Sequence, residues 1–165
     1  MMLESTGVPT VEDLKARMPS KERLARGPVA MIECFQRIPC DPCYHSCKRG
    51  AISKLIDIND IPQVDYEKCN GCGLCISNCP GLAIFVLDQN YDEKYGLIKM
   101  PYELLPRPEI GEEVVALNRE GQEVCKGKVV EVRDGKIQDK TAIIGVAVPK
   151  KFLMEVRNIK VGRSK

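Results

Sequence analysis

Eight cysteines crowded between residues 34 and 79 are the feature that most constrains this chain, and a ninth, Cys125, lies apart. They form two runs. The second run follows the pattern C-x2-C-x2-C-x3-C-P and consists of Cys69, Cys72, Cys75 and Cys79, followed by Pro80. Three thiolates this close in sequence wrap a loop around one cubane cluster, and the fourth, one helical turn further on, points away from that cluster. The pattern therefore predicts [4Fe–4S] binding.

The first run repeats most of this pattern with one change. Its members are Cys34, Cys40, Cys43 and Cys47. Five residues separate Cys34 from Cys40 where two are expected, so the reach of Cys34 is an open question. Without Cys34 the site would have three cysteines, as a [3Fe–4S] cluster requires. Each run is followed by Ala-Ile at the same offset, at 51–52 and 83–84, which indicates an internal repeat.

The paired runs resemble those of bacterial two-cluster ferredoxins over residues 28–88. That resemblance implies that the runs exchange their fourth ligands, and that the cofactors are two [4Fe–4S] clusters. Cluster 1 would be held by Cys34, Cys40, Cys43 and Cys79. Cluster 2 would be held by Cys69, Cys72, Cys75 and Cys47. No residue of the chain is predicted to be catalytic, so we expect a carrier of single electrons that is not an enzyme by itself.

Two C-x2-C pairs can also build a zinc site with four thiolates. Such a site usually takes two ligands from each of two separated knuckles, whereas each run here offers four closely spaced cysteines. The proline after Cys79 has no role in zinc binding. We therefore favour clusters, and a zinc-organised interaction protein stays as the alternative.

Two cations follow the first run at the positions that Pro80 and Gly81 occupy after the second. These are Lys48 and Arg49. If Cys47 binds cluster 2, both cations lie near that cluster and favour its reduction. The sequence thus predicts a higher potential for cluster 2 than for cluster 1.

The fold class expected from these patterns is α+β, with a two-cluster ferredoxin-like core. Around that core, short helical patterns form an N-terminal arm, and turn signals separate short strands near the C-terminus. Strands are predicted in the core at 29–33, 54–58 and 83–88, with a strand or its remnant at 63–66. Beyond the core they are predicted in EEVVALN, QEVCKGKVVEVR, KIQ and AIIGVAV. The domains are the arm at 1–27, the ferredoxin-like domain at 28–105, and a small β-barrel or meander module at 106–165.

Composition limits the cellular location and the kinds of partner that we expect for the protein. The N-terminus lacks the apolar stretch of a signal peptide, and no segment approaches the roughly 18 apolar residues of a membrane span, so we expect a soluble, cytoplasmic protein. An odd cysteine count argues against a closed set of disulfides. The cysteine-rich middle of the chain is acidic, which argues against nucleic-acid binding.

A closer resemblance extends over nearly the whole chain. It is carried by RMPSKERLARGPVAMIECFQRIPCDPC, the second cysteine run, and MPYELLPRPEIGEEVVALNREGQEVCKGKV. These segments resemble the small dicluster iron–sulfur subunits of FAD-dependent amino-acid or opine dehydrogenases, of the proline or hydroxyproline type, in anaerobic bacteria and archaea. The resemblance implies a hetero-oligomer in which a flavin subunit supplies electrons and a downstream acceptor removes them. The alternative is a stand-alone ferredoxin or a subunit of another redox complex.

Overall fold

The computed structural model describes residues 2–162 of the chain. The helices are α1 (Met2–Thr6), α2 (Val11–Lys15), α3 (Lys21–Leu24), α4 (Pro42–Ser46) and α5 (Leu74–Ser77), with a 3-10 turn at Lys150–Phe152. The strands are β1 (Val29–Ile32), β2 (Ile84–Asp88), β3 (Tyr95–Tyr102), β4 (Glu113–Leu117), β5 (Glu123–Arg133), β6 (Ala142–Pro149) and β7 (Asn158–Val161). None of the helices in this part of the chain is long and apolar enough to cross a membrane.

All seven strands belong to one antiparallel sheet in the order β1-β2-β3-β6-β5-β4-β7. Its central strand, β6, is a nearly continuous apolar run that is buried on both faces. Such a run is typical of a strand covered on both sides, and its β-branched residues fit the pleated surface well. β6 pairs with β3 on one side and β5 on the other, so it joins the two halves of the sheet.

The first hydrophobic core lies on one face of this sheet. It contains Met31 of β1, Ile98 of β3, Val146 of β6 and Ile159 of β7. Because β1 and β7 are the two edges of the sheet, a shared core requires the sheet to curl. Within residues 2–162 the two edge strands do not pair with each other, so the curled sheet stays open.

The second hydrophobic core lies on the opposite face and carries the cysteine loops. Along β1, Ala30 and Ile32 belong to this core while Val29 and Met31 belong to the first, as the period-two geometry of a strand requires. Cys43 and Cys75 are buried within the second core. The sheet therefore forms the base on which both cysteine runs lie.

The predicted strand at 54–58 is wrong. In its place are turns, and an isolated bridge joins Ile52 to Val64. The Asp60 carboxylate accepts hydrogen bonds from the backbone N–H groups of Ile56 and Asp57, which competes with strand pairing. Ile56 itself is fully exposed, so its apolar side chain does not mark a buried strand.

The strands near the C-terminus differ from the expectation in one place. β4, β5 and β6 lie where strands were predicted, but KIQ at 136–138 forms a turn, in which the Gln138 N–H donates to the Gly135 carbonyl. β3 and β7 were not predicted. β3 pairs with both β2 and β6, so a single sheet runs through residues 28–105 and 106–165.

Candidate metal centre

The loop that carries the second cysteine run is folded tightly against the start of β1. Gly71 has φ +65, and a Cβ added there would lie 2.7 Å from the backbone carbon and Cβ of Pro28. Only glycine fits this combination of left-handed backbone and close approach. Gly73 then precedes α5 with φ +84, and α5 carries Cys75 into the second core.

Four thiols form a first group that draws on both runs. Burial raises the pKa of the Cys43 thiol to about 11, and the neighbouring thiols of Cys79, Cys40 and Cys34 act in the same direction. The pKa of Cys34 is likewise raised, first by burial and then by Cys79 and Cys40. The structure thus brings Cys34 to the same three cysteines despite its longer spacing, and it places Cys79 with the first run.

The other four thiols form a second group. Burial raises the pKa of the Cys75 thiol to about 12, and the neighbouring thiols of Cys69, Cys72 and Cys47 contribute to the rise. The same four cysteines line one small cavity. Cys47 comes from the first run, so this group also draws on both runs.

Backbone N–H groups point at three of the cysteine sulfurs. Ala30 N–H donates to Cys69 Sγ at 3.3 Å. Ala51 N–H donates to Cys47 Sγ at 3.3 Å, and Ala83 N–H donates to Cys79 Sγ at 3.4 Å. The last two contacts occupy equivalent positions of the internal repeat. Hydrogen bonds of this kind favour the anionic thiolate that a metal requires.

The donor set fits iron–sulfur clusters. Each group offers four soft thiol ligands, which is the ligand set of a [4Fe–4S] cluster. Among residues 2–162, no three His, Cys, Asp or Glu side chains converge on the position of one metal ion. This absence concerns sites for a single ion such as zinc. It does not concern a cubane cluster, in which each thiolate binds a different iron atom.

The two cations that follow the first run take different positions. Both are exposed, but Arg49 lines the cavity of the second group and Lys48 does not. The higher potential expected for cluster 2 stays a prediction. Cys125, the ninth cysteine, lies half-buried in β5 against the first core.

Two arginines that sequence reasoning missed also contact this region. Arg23 of α3 donates to the Cys69 carbonyl at 2.6 Å, and Arg133 of β5 donates to the Cys72 carbonyl at 3.0 Å. Both lie outside the cysteine runs. No spacing rule links them to the cysteines, so only the folded structure shows these contacts.

Comparison with known proteins agrees with this chemistry over part of the chain. Residues 62–85, which include the second cysteine run, match the family model of the 4Fe-4S binding domain. No solved structure matches the chain.

The similar proteins include a ferredoxin-type protein and a subunit of pyruvate synthase. The ferredoxin-type protein NapF of Haemophilus influenzae is 36% identical over 66 residues, which is 38% of this chain and 38% of that protein. The pyruvate synthase subunit PorD of Methanocaldococcus jannaschii is 40% identical over 47 residues, which is 28% of this chain and 52% of that protein. The matched region thus spans between 38% and 52% of the length of these relatives. The chain therefore contains a 4Fe–4S ferredoxin-type domain and is homologous, over part of its length, to NapF and PorD.

Proposed function

We propose that this chain is the electron-transfer subunit of a larger oxidoreductase. It would carry single electrons through two [4Fe–4S] clusters, from a flavin-containing amino-acid dehydrogenase subunit to a downstream acceptor. The observation that carries the proposal is the division of eight thiols into two groups of four, each drawn from both cysteine runs. The ligands of cluster 1 are Cys34, Cys40, Cys43 and Cys79. The ligands of cluster 2 are Cys69, Cys72, Cys75 and Cys47.

The ligand set explains why the chain would transfer electrons and not transform a substrate. A cluster held by four thiolates exchanges one electron and offers no open coordination site. The protein's part is to hold the thiolates, direct N–H groups at the sulfurs, and limit access of water. Ala30, Ala51 and Ala83 supply those N–H groups, and the buried positions of Cys43 and Cys75 limit access.

In the proposal, the parts of the fold outside the cluster-binding region attach that region to partner subunits. We assign residues 28–105 to a ferredoxin-like core of α+β type, flanked by the arm at 1–27 and the β module at 106–165. The arm and module add no thiol to either group, since Cys125 lies apart against the first core. Their role in the proposal is to support the cluster loops and to fasten the chain to partner subunits. Free thiols suit the reducing cytoplasm of an anaerobic organism.

A second candidate is a subunit of a different redox complex. It is favoured by the similarity to PorD, which is named as a subunit of pyruvate synthase in two archaea. The ligand assignment is the same in both candidates. They differ in the electron donor, which is a flavin subunit in the first and another kind of subunit in the second.

Anaerobic purification of the tagged chain from its native cells tests the proposal. We expect about eight iron and eight sulfide per chain, a visible band near ~400 nm, and a co-purifying polypeptide that contains flavin. Adding proline or hydroxyproline to that complex should bleach the visible band, because electrons pass from the flavin to the clusters. A tag-only strain treated identically is the control.

The other possible results of this purification distinguish the alternative functions. Eight irons in a complex without flavin support the second candidate, and eight irons in a free monomer indicate a stand-alone ferredoxin. A colourless protein with bound zinc would overturn both candidates.

A further inference from the structure

Arg23 of the N-terminal arm is buried against the loop that carries the second cysteine run. Its side chain donates hydrogen bonds to four backbone carbonyl groups. These belong to Tyr66 at 2.6 Å, Gly27 at 3.0 Å, Pro28 at 3.1 Å and Cys69 at 2.6 Å. Only 7% of the residue is exposed to solvent. One guanidinium therefore connects the arm, the entry to β1 and the first cysteine of the second run.

Arg23 forms no ion pair among residues 2–162, although it lies close enough to the Glu67 carboxylate for its charge to help Arg26 lower the pKa of that group. The nearby Glu67 pairs instead with Arg26, in a bridge whose side chains are 54% and 71% exposed. A buried guanidinium whose partners are all neutral carbonyls satisfies its hydrogen bonds but not its charge. Burial of such a charge is unfavourable unless a negative charge lies close by.

The second thiol group is the negative charge that fits this position. Cys69 belongs to that group, and its carbonyl accepts from Arg23 at 2.6 Å while its sulfur accepts from Ala30 N–H. A [4Fe–4S] cluster with four thiolates carries about two negative charges when oxidised and about three when reduced. A positive charge hydrogen-bonded to the loop that holds such a cluster stabilises both states, and the reduced state more.

Arg133 contacts the same loop, but unlike Arg23 it forms an ion pair with a carboxylate. It donates to the Cys72 carbonyl at 3.0 Å and also pairs with Glu131, which in turn pairs with Lys99. Arg133 is thus part of a network that contains its own carboxylate. Arg23, in contrast, is buried at this loop and forms no direct ion pair among the described residues, since Glu67 pairs with Arg26.

We propose that Arg23 is the counter-charge and positioning residue of cluster 2, so that the N-terminal arm completes the cluster 2 site and raises its reduction potential. The proposal rests on the function proposed above, because it presupposes a cluster held by Cys69, Cys72, Cys75 and Cys47. It assigns the arm a part in the redox site in addition to any role in attachment.

The test is a redox titration of the anaerobically purified full-length chain, monitored by electron paramagnetic resonance, with iron and sulfide counted for each variant. Dithionite supplies one electron to each cluster. Arg23→Gln removes the charge and keeps part of the hydrogen bonding, whereas Arg23→Lys keeps the charge. Arg26→Gln is the matched control, since it removes an exposed charge three residues further along the arm.

We expect Arg23→Gln to shift one of the two reduction steps at least tenfold toward the oxidised form, which is about 59 mV for one electron. Arg23→Lys should stay within about threefold of wild type, and Arg26→Gln should move neither step. If Arg23→Gln assembles fewer irons than wild type while Arg23→Lys assembles the full number, the counter-charge role is also supported.

Several results would overturn the proposal. They are unchanged potentials in Arg23→Gln, an equal shift in Arg23→Lys, an equal shift in Arg26→Gln, or loss of the cluster in both Arg23 variants. Failure of the proposed function is seen separately, because the wild-type chain would then lack two clusters before any variant is titrated.

Discussion

The side chain of Arg157 reaches the carboxylate of Glu33, with 2.7 Å between Arg157 Nε and Glu33 Oε1. Glu33 directly precedes Cys34, the first cysteine of the first run, and Arg157 directly precedes β7. Arg119 donates to both oxygens of the same carboxylate, at 2.8 Å and 2.6 Å. One buried carboxylate therefore links the beginning of the first cysteine run to two distant parts of the C-terminal half.

The ion pairs of Glu33 with Arg157 and Arg119 exist only while its carboxyl group is ionised. Burial by itself would raise the pKa of Glu33, but the hydrogen bond from Arg119 and the charges of Arg157 and Arg119 more than offset it, so the pKa is lowered from 4.5. A carboxylate whose pKa is lower in the folded state stabilises the fold at pH values above its unfolded pKa. That contribution is lost as the pH falls through the lowered folded pKa.

We predict that Glu33→Gln lowers the free energy of unfolding by about 3–5 kcal/mol at pH 7, because it leaves the buried Arg157 and the partly buried Arg119 without their carboxylate. The difference from wild type should shrink in acid, as the pH falls below 4.5 and through the lowered pKa of Glu33, where wild-type Glu33 itself becomes protonated. Urea unfolding followed by circular dichroism at a series of pH values measures both effects.

Glu67→Gln is the control for this comparison. Glu67 pairs with Arg26 at the surface, where solvent screens the pair, so its loss should change the stability little. Equal destabilisation by the two substitutions would contradict the assigned role of Glu33.

A second prediction concerns the glycine that packs against Pro28. Gly71→Ala should remove cluster 2 and reduce the iron content from about eight to about four, because the added Cβ would collide with the Pro28 backbone. Gly50→Ala is a matched control, since Gly50 also has positive φ, at +60, but has no atom within 4 Å of an added Cβ. It should cost only the ~1–2 kcal/mol of a left-handed backbone and keep both clusters.

Iron and sulfide analysis of the two glycine variants, with visible absorption, gives the answer. Retention of all the iron by Gly71→Ala would show that the loop can move away from β1. Equal loss in both variants would show that backbone conformation, and not the contact with Pro28, limits cluster binding.

The local part of this fold could be predicted from the sequence, and the long-range part could not. Cysteine spacing, Ala-Ile repetition and apolar alternation are local patterns, and they locate both cysteine runs, β1 and β2. The contact between Glu33 and Arg157 joins residues 124 positions apart, and no local pattern contains it. β3 was missed for a similar reason, because its pairing with β6 depends on a strand far along the chain.

At 54–58 the error is the opposite one, because the sequence predicts a strand that the structure lacks. The composition of this apolar run favours a strand, but the Asp60 side chain takes up the backbone N–H groups that a strand would use for pairing. The contact of Arg23 could not be predicted, because it is long-range and because the local sequence pattern around Arg23 is ordinary. The residue lies in a short helix with an ordinary charge pattern, and only the folded chain shows that its side chain turns inward to the Cys69 carbonyl.

The last prediction separates two cysteines of the same run. Cys75 and Cys79 lie four residues apart, yet the thiol of Cys75 is grouped with Cys47 and that of Cys79 with Cys43. Cys79→Ser should therefore change the same cluster as Cys43→Ser, whereas Cys75→Ser should change the same cluster as Cys47→Ser. Electron paramagnetic resonance of the reduced variants, with the two potentials measured for each, assigns every substitution to one cluster.

Cys125→Ser serves as the control, because Cys125 lies apart from both groups and its loss should leave both signals unchanged. If Cys79→Ser altered the same signal as Cys75→Ser, each run would hold its own cluster and the exchange of fourth ligands would be wrong. Cys34→Ser adds a further check on the insertion in the first run. Because Cys34 is grouped with Cys40 and Cys79, its loss should change the cluster 1 signal and leave the cluster 2 signal intact.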